Sequence, residues 1–407
     1  MTDSLSLISP GGLLSFARTI EDFTEDPYSM YRAMQSEAPL SRVGPNDFVV
    51  TDPQLMLELF KDHSRFSSAR CLEGQVPIAG AAREVLADTL FFGRALINEA
   101  PPEHTAFRRT FGRPFTSAAV ADLEPRIREL TAEMCGDLSG RHGFDVFGEL
   151  AFPLPIKVLS EVIGIPDEDR QRVKQWNDQW IALQVLQMPE KDQVRAALSV
   201  RAYEDYMRGL IEEITSARRA CLLLDMVDAI DTPSAVHDVN DVIVAARMMI
   251  GAGHDVASGL IGNAVALLIE TGRWEALARN PAAIPDFVEE TLMLDPPLQS
   301  APRLVEESTE LHGITVPAGA RVHLAIGAYS ALEGKRGNGP HASRHIAFGY
   351  GVHHCVGAHL GRAQARIVLA HLLAAIPATP RFDEESPPIR MPGGYVFRSF
   401  SSLPLLW

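Results

Sequence analysis

The spacing of apolar residues changes along the chain. Residues 39–43 and 48–51 form two short runs, Pro-Leu-Ser-Arg-Val and Phe-Val-Val-Thr, around the tetrad Gly44-Pro45-Asn46-Asp47. This pattern predicts two strands and a turn, after which Pro53 opens a helix running through Phe60. Residues 70–96 have no clear period and are rich in Gly, Ala and Phe, which predicts a pocket-lining loop. From Pro101 to about residue 295 the period is helical, broken at Pro153-Leu154-Pro155, Pro166 and Thr232-Pro233. Strands are predicted at 301–305, 311–316 and 321–326, the last two joined by Pro317-Ala318-Gly319. A helix follows at 358–376, and residues 395–405 read as a hairpin. The fold class is mainly α with small β-sheets, in a single domain over residues 1–407.

The longest apolar stretch, residues 242–269, contains Arg247, His254 and Asp255. These residues favour a buried helix over a membrane span. The net charge of −15 argues against nucleic acid or an anionic membrane as partner. The first twenty residues lack a basic segment followed by a long apolar run, so the expected location is cytoplasmic. Cys71, Cys135, Cys221 and Cys355 are widely spaced, with no C-x-x-C pair and no disulfide framework. The first three read as small buried hydrophobes.

Cys355 differs because of its neighbours. In Phe348-Gly-Tyr-Gly-Val-His-His-Cys-Val-Gly357, the glycines at 349, 351 and 357 allow sharp turns and close approach to a flat object. The helix starting near Ala358 points its positive end at the sulfur, which favours a thiolate. A glycine-rich turn around an inert buried cysteine is the bland alternative.

At this loop the chain resembles the cytochrome P450 superfamily, matching its F-G-x-G-x-H-x-C-x-G haem signature at every fixed position. Further landmarks in order extend the likeness over nearly the whole chain. The resemblance implies haem b (iron protoporphyrin IX) ligated by Cys355, between a long distal helix and a proximal Cys-loop helix. Phe348 and Gly357 shape the loop. His104 and Arg108, at i and i+4 on one helix face, look like propionate partners together with Arg303 and His353.

The helix from about Asn240 to Ile269 resembles the family's distal helix. Gly251 and Gly253 each cost roughly 1 kcal/mol relative to Ala, which suggests room for dioxygen and a local kink, or close helix packing. Gly253, His254 and Asp255 are the catalytic candidates. The family usually follows the acid with Thr, and the pair relays protons during oxygen activation. Here Val256 stands in that place, so protons must come from ordered water, Ser258, His254 or the substrate. The family's E-x-x-R falls on Glu290-Thr-Leu-Met293, with Met293 in place of the arginine. Glu290 is then expected to find another cation, Arg336 or Arg344 being candidates.

The resemblance places substrate against Phe91, Phe92, Trp176, Val256 and Leu298. Arg247 is a candidate for a substrate carboxylate or for pairing with a structural acid. With no flavin or nicotinamide region in the sequence, electrons are expected from a ferredoxin-type donor and its reductase. That donor would be steered by Arg109, Arg113, Arg362 and Arg366. The implied function is a monomeric monooxygenase acting on a small, largely apolar organic molecule. The alternatives are non-hydroxylating haem-thiolate oxidation (ring closure, coupling or peroxide-driven chemistry) and a haem-based binding module without turnover.

Overall fold

In the computed structural model, residues 20–69, 76–230, 232–233, 235–333, 345–391 and 396–407 are described. Cys71, Arg336 and Arg344 lie outside them. The architecture is mainly helical with small sheets. Its centre is the 32-residue helix Val239–Glu270. Asp238 caps that helix, its carboxylate accepting the N–H groups of Asn240 and Asp241. The helix is apolar on several faces because it packs against Pro153–Ile163, Arg170–Val185 and Ala358–Ala375 together. By length and composition it could cross a membrane, but 67% of its apolar window is buried inside the protein.

A five-stranded sheet forms the other part of the core. Its order is Leu40–Arg42, Asp47–Val50, Arg321–Leu324, Ala301–Val305, Phe66–Ser67. All pairings are antiparallel except that of Asp47–Val50 with Arg321–Leu324, where Phe48 lies opposite Val322. Phe48, Val50, Val322 and Leu324 pack one buried cluster, while the long helix and the cysteine helix share another.

Three local expectations need correction. The stretch 311–316 is not one strand, because His312 and Gly313 adopt positive φ and fold Thr309–Leu311 back on Ile314–Val316. The C-terminal segment is not a self-paired hairpin. Phe400–Ser402 pairs with Ile389–Arg390, and Pro404–Leu406 inserts between Gly143–Asp145 and Arg381–Phe382. The loop between residues 76 and 96 contains a short helix, Gly80–Leu86. The break at Pro153 marks a helix start, since Pro lacks the N–H that a first turn leaves unpaired anyway.

Candidate active site

The Cys355 loop is held open by its backbone. Gly349 and Gly351 have φ of 71° and 75°, which side-chain-bearing residues rarely adopt. The Cys355 N–H donates to Phe348 O at 2.8 Å. Gly357 has ordinary φ, and a Cβ there would make only an ordinary contact, 3.9 Å from Cys355 Sγ. The sulfur opens onto interior space, but the surrounding protein pushes the thiol above its ordinary value. Burial is the main cause, partly offset by the Gly357 N–H and by Arg108 and Arg362. The loop by itself therefore does not favour the thiolate, contrary to the helix-dipole expectation. A bound metal ion deprotonates a coordinating thiol outright.

Beside this loop the four expected propionate partners come together. The rings of His104 and His353 lie 4.5 Å apart. Arg108 donates to His354 O at 2.6 Å, and Arg303 stacks over Phe60. Burial and then the charges of His104, Arg303, Arg108 and His63 push His353 down to about 3. No carboxylate is among the groups that shift His104, Arg108 or His353. His104 is buried, and its Nε2 has no hydrogen-bond partner. An enclosed cationic cluster with an orphaned donor fits a dianionic group such as the paired propionates of haem. His63, and Ser68, whose Oγ lies 2.9 Å from His353 Nε2, belong to this cradle and were missed in the sequence. Neither sits in a distinctive motif.

On the long helix, Ala252 is exposed, while Ile250, Gly251 and His254 are buried. Met248 and Val256, one turn to either side, are half-buried, so one narrow stripe of the helix opens to space. Both glycines lie inside one continuous helical span. A Cβ on Gly251 would stand 3.0 Å from Asn177 Oδ1, and one on Gly253 would stand 2.9 Å from Leu159 Cδ1. Both glycines stand at close approaches, Gly251 to Asn177 and Gly253 to the tip of Leu159.

His254 is fully buried between two oxygens. Nε2 lies 2.8 Å from Phe152 O and Nδ1 lies 2.7 Å from Asp255 Oδ1. A carbonyl only accepts, so Nε2 carries a hydrogen. The Nδ1···Oδ1 contact then needs a second proton, on the ring or on the carboxylate. Lys174 Nζ stands 3.6 Å from Asp255 and also pairs with Asp178. Burial pushes Asp255 up, but His254 and Lys174 outweigh it and hold the carboxyl below its usual range. Ser258 is buried and its Oγ donates to His254 O at 2.9 Å, so its hydroxyl is already committed within the helix.

Comparisons with known proteins agree with this arrangement. No protein-family model matches the chain. The chain is 32% identical over 294 residues to cytochrome P450 107B1 of Saccharopolyspora erythraea, covering 70% of each. It is 30% identical over 372 residues to cytochrome P450 130 of Mycobacterium tuberculosis, covering 86% of this chain and 88% of that one. The chain belongs to the cytochrome P450 family. Erythromycin C-12 hydroxylase of S. erythraea is 28% identical over 78% of each chain. Among solved structures, the Tepidiphilus thermophilus P450 haem domain superposes with TM-score 0.84 at 23% identity, over 95% of both chains. The P450 CxnD, described as forming a C–S bond in chuangxinmycin biosynthesis, superposes with TM-score 0.79 at 25% identity. That match covers 93% of this chain and 94% of CxnD.

As a P450 monooxygenase, the chain takes a haem-thiolate cofactor, and the Cys355 loop and its cationic cradle are the residues that fit it. Around the P450 pocket, Phe91, Phe92, Trp180, Val244, Arg247 and Met248 line a small cavity beside the long helix. Trp176 is not part of it; that ring packs on Tyr206 and Arg172, and Trp180, one turn later, lines the cavity. Leu298 is half-buried and bridges to Phe397. Arg247 is 1% exposed and pairs with Glu204 at 3.1 Å, which is the structural acid. Arg247 also donates to Leu90 O, while the Leu90 N–H donates to both Glu204 oxygens at 2.9 and 3.0 Å.

The proximal arginines divide. Arg362 pairs with Glu289 and Arg366 with Glu124, whereas Arg109 and Arg113 are exposed. Glu290 pairs with Arg273 at 2.9 Å and is about 40% exposed, so it is not the buried acid expected from the motif.

Proposed function

We propose that this P450 inserts oxygen into a small, largely apolar organic molecule, with haem b as cofactor and a ferredoxin-type donor supplying electrons. The observation that carries the substrate class is the lining of the cavity beside the long helix, chiefly Phe91, Trp180, Val244 and Met248. Arg247, the charged residue there, is already engaged by Glu204. A relative named erythromycin C-12 hydroxylase supports oxygen insertion into an organic molecule. The haem, when bound, supplies the oxygen-activating chemistry. His104, Arg108, Arg303 and His353 hold the propionates, and Cys355 ligates the iron. Phe91, Phe92 and Trp180 exclude water from the substrate, with Leu298 at the pocket edge. Asp255 and His254 together hold and release a proton, replacing the relay for which Val256 has no hydroxyl. Exposed Arg109 and Arg113 receive the acidic donor. The working unit is a single P450 domain, monomeric and cytoplasmic.

A second reading is favoured by Val256. Without a hydroxyl at that position, peroxide-driven oxidation, in which hydrogen peroxide brings its own protons, asks less of the protein than dioxygen does, and ring closure or coupling are the non-hydroxylating outcomes it can serve. The likeness to CxnD supports keeping it in view. Turnover under labelled dioxygen separates the two. Oxygen insertion gives product heavier by one labelled atom, and coupling or ring closure gives product lighter by hydrogen with no label. Ligand-induced reduction without product would instead mark a binding module.

A further inference from the structure

We propose that Glu289, and not Glu290 of the E-x-x-R position, anchors the haem-binding loop of this protein by clamping its two flanks through His345 and Arg362. The family motif has lost its charge partner here, because Met293 is apolar and buried at 6% exposure. Glu290 has turned away, and its carboxylate ties the helix Ile284–Leu294 to Arg273, just past the end of the long helix. Adjacent residues on a helix point about 100° apart. Glu289 consequently faces a different neighbour, the cysteine helix.

The geometry of that contact is specific. Glu289 Oε1 accepts Arg362 Nε–H at 2.6 Å and Oε2 accepts Arg362 Nη2–H at 2.9 Å, a two-point carboxylate–guanidinium pair. His345 Nε2 donates to Oε2 at 3.1 Å. The tautomer is fixed from the other side, since the Ala347 N–H donates to His345 Nδ1 at 3.2 Å. His345 lies before the loop and Arg362 follows it, so one carboxylate closes the segment that carries Cys355. The Arg362 guanidinium also stacks on the Phe348 ring at 4.4 Å, and Phe348 O accepts the Cys355 N–H. Glu289, Arg362, Phe348 and Cys355 thus form a continuous series of contacts ending at the ligand's own backbone.

Burial raises the Glu289 carboxyl, but Arg362 and His345 outweigh it and hold the group at about 2. A depressed carboxyl contributes stability that is fully present above its unfolded value, near 4.5, and is lost as pH falls toward 2. The cleft beside the pair is lined by Glu124, Asp286, His359 and Arg366. Arg366 is taken by Glu124, so among the described lining residues Asp286 and His359 are the other titratable groups near the carboxylate.

The test uses the haem-loaded enzyme in its reduced carbon-monoxide form, whose red-shifted Soret band reports thiolate ligation. Three variants are compared with the parent: Glu289→Gln, Glu290→Gln and Arg362→Lys. Glu289→Gln should lose the thiolate band at neutral pH about tenfold faster than the parent, because a two-point charged pair becomes a neutral one. Below pH 4.5 its loss rate should rise by a smaller factor than the parent's, because the Glu289 contribution is already gone. Arg362→Lys, which keeps the charge but not the fork or the stacking, should fall between the two. Glu290→Gln should match the parent in band lifetime even if its urea midpoint drops. Should Glu289→Gln fail to take up haem, Arg362→Lys against Glu290→Gln still decides the matter. The proposal is overturned if Glu290→Gln shortens the band lifetime as much as either of the others, or if neither of the others shortens it. A parent enzyme lacking the thiolate band would instead contradict Cys355 ligation.

Discussion

The Leu90 peptide is held by a buried ion pair, and the cost of breaking that pair follows from its surroundings. Glu204 and Arg247 are 6% and 1% exposed. Burial raises the Glu204 carboxyl despite its bonds to the Leu90 N–H and Arg247, and burial lowers Arg247 despite Tyr203 and Glu204. Both partners point the same way: desolvation outweighs their attraction. Such a pair positions its neighbours more than it stabilises the fold. Arg247→Met leaves Glu204 as a buried charge without its cation and should cost about 3–5 kcal/mol. The double variant Arg247→Met, Glu204→Leu removes both charges, but it leaves the Leu90 N–H and O without these partners, at about 1–3 kcal/mol each. It should therefore cost about as much as either single variant and not their sum, so a double-mutant cycle with Glu204→Leu should show a coupling of about 3–5 kcal/mol. Urea titration followed by tryptophan emission gives the stabilities. Limited proteolysis near residue 90 reads the loop, and cleavage should quicken in the double variant. A coupling under about 0.5 kcal/mol, or loop cleavage unchanged in the double variant, would refute the reasoning.

Val256→Thr restores a hydroxyl of nearly the same volume at a desolvation cost of about 1 kcal/mol. It should raise product formed per electron consumed for poorly fitting substrates more than for the native one, and no gain with either would remove Val256 from the chemistry. His254→Phe keeps the ring volume but discards the proton shared with Asp255, so hydrogen peroxide release should rise while haem content stays level; unchanged coupling counts against the pair. Arg113→Glu should slow reduction by a ferredoxin several-fold at low salt and less at high salt. Arg366→Glu changes the local charge by the same two units and leaves Glu124 without its cation, so it should slow reduction comparably, and peroxide-supported turnover should survive in both.

What could be read in the sequence was what is encoded locally. The Cys355 loop depends on glycines and a helix start within ten residues, and four cradle residues, His104, Arg108, Arg303 and His353, stand at ordered landmarks, whereas His63 and Ser68 do not. The tail was misread because Phe400–Ser402 and Pro404–Leu406 find their partners far away in the chain, and strand pairing at that distance leaves no local signature. Helical phase caused the other errors. Trp176 and Trp180 are one turn apart in the same helix, and only packing against Tyr206 or against the cavity separates them. Glu289 and Glu290 differ by one residue, yet one meets the cysteine helix and the other meets Arg273. The Arg247–Glu204 pair joins positions 43 apart in sequence, and nothing in either neighbourhood marks the partner.

The central claim is that Cys355 is the iron's thiolate ligand, in a glycine-framed loop that opens its sulfur to the interior. The reduced carbon-monoxide spectrum of the parent and of Cys355→Ser tests it directly. The parent should show the red-shifted Soret band of a thiolate haem, and the variant should lose that band while remaining folded by circular dichroism. A variant whose spectrum matches the parent's would contradict the account.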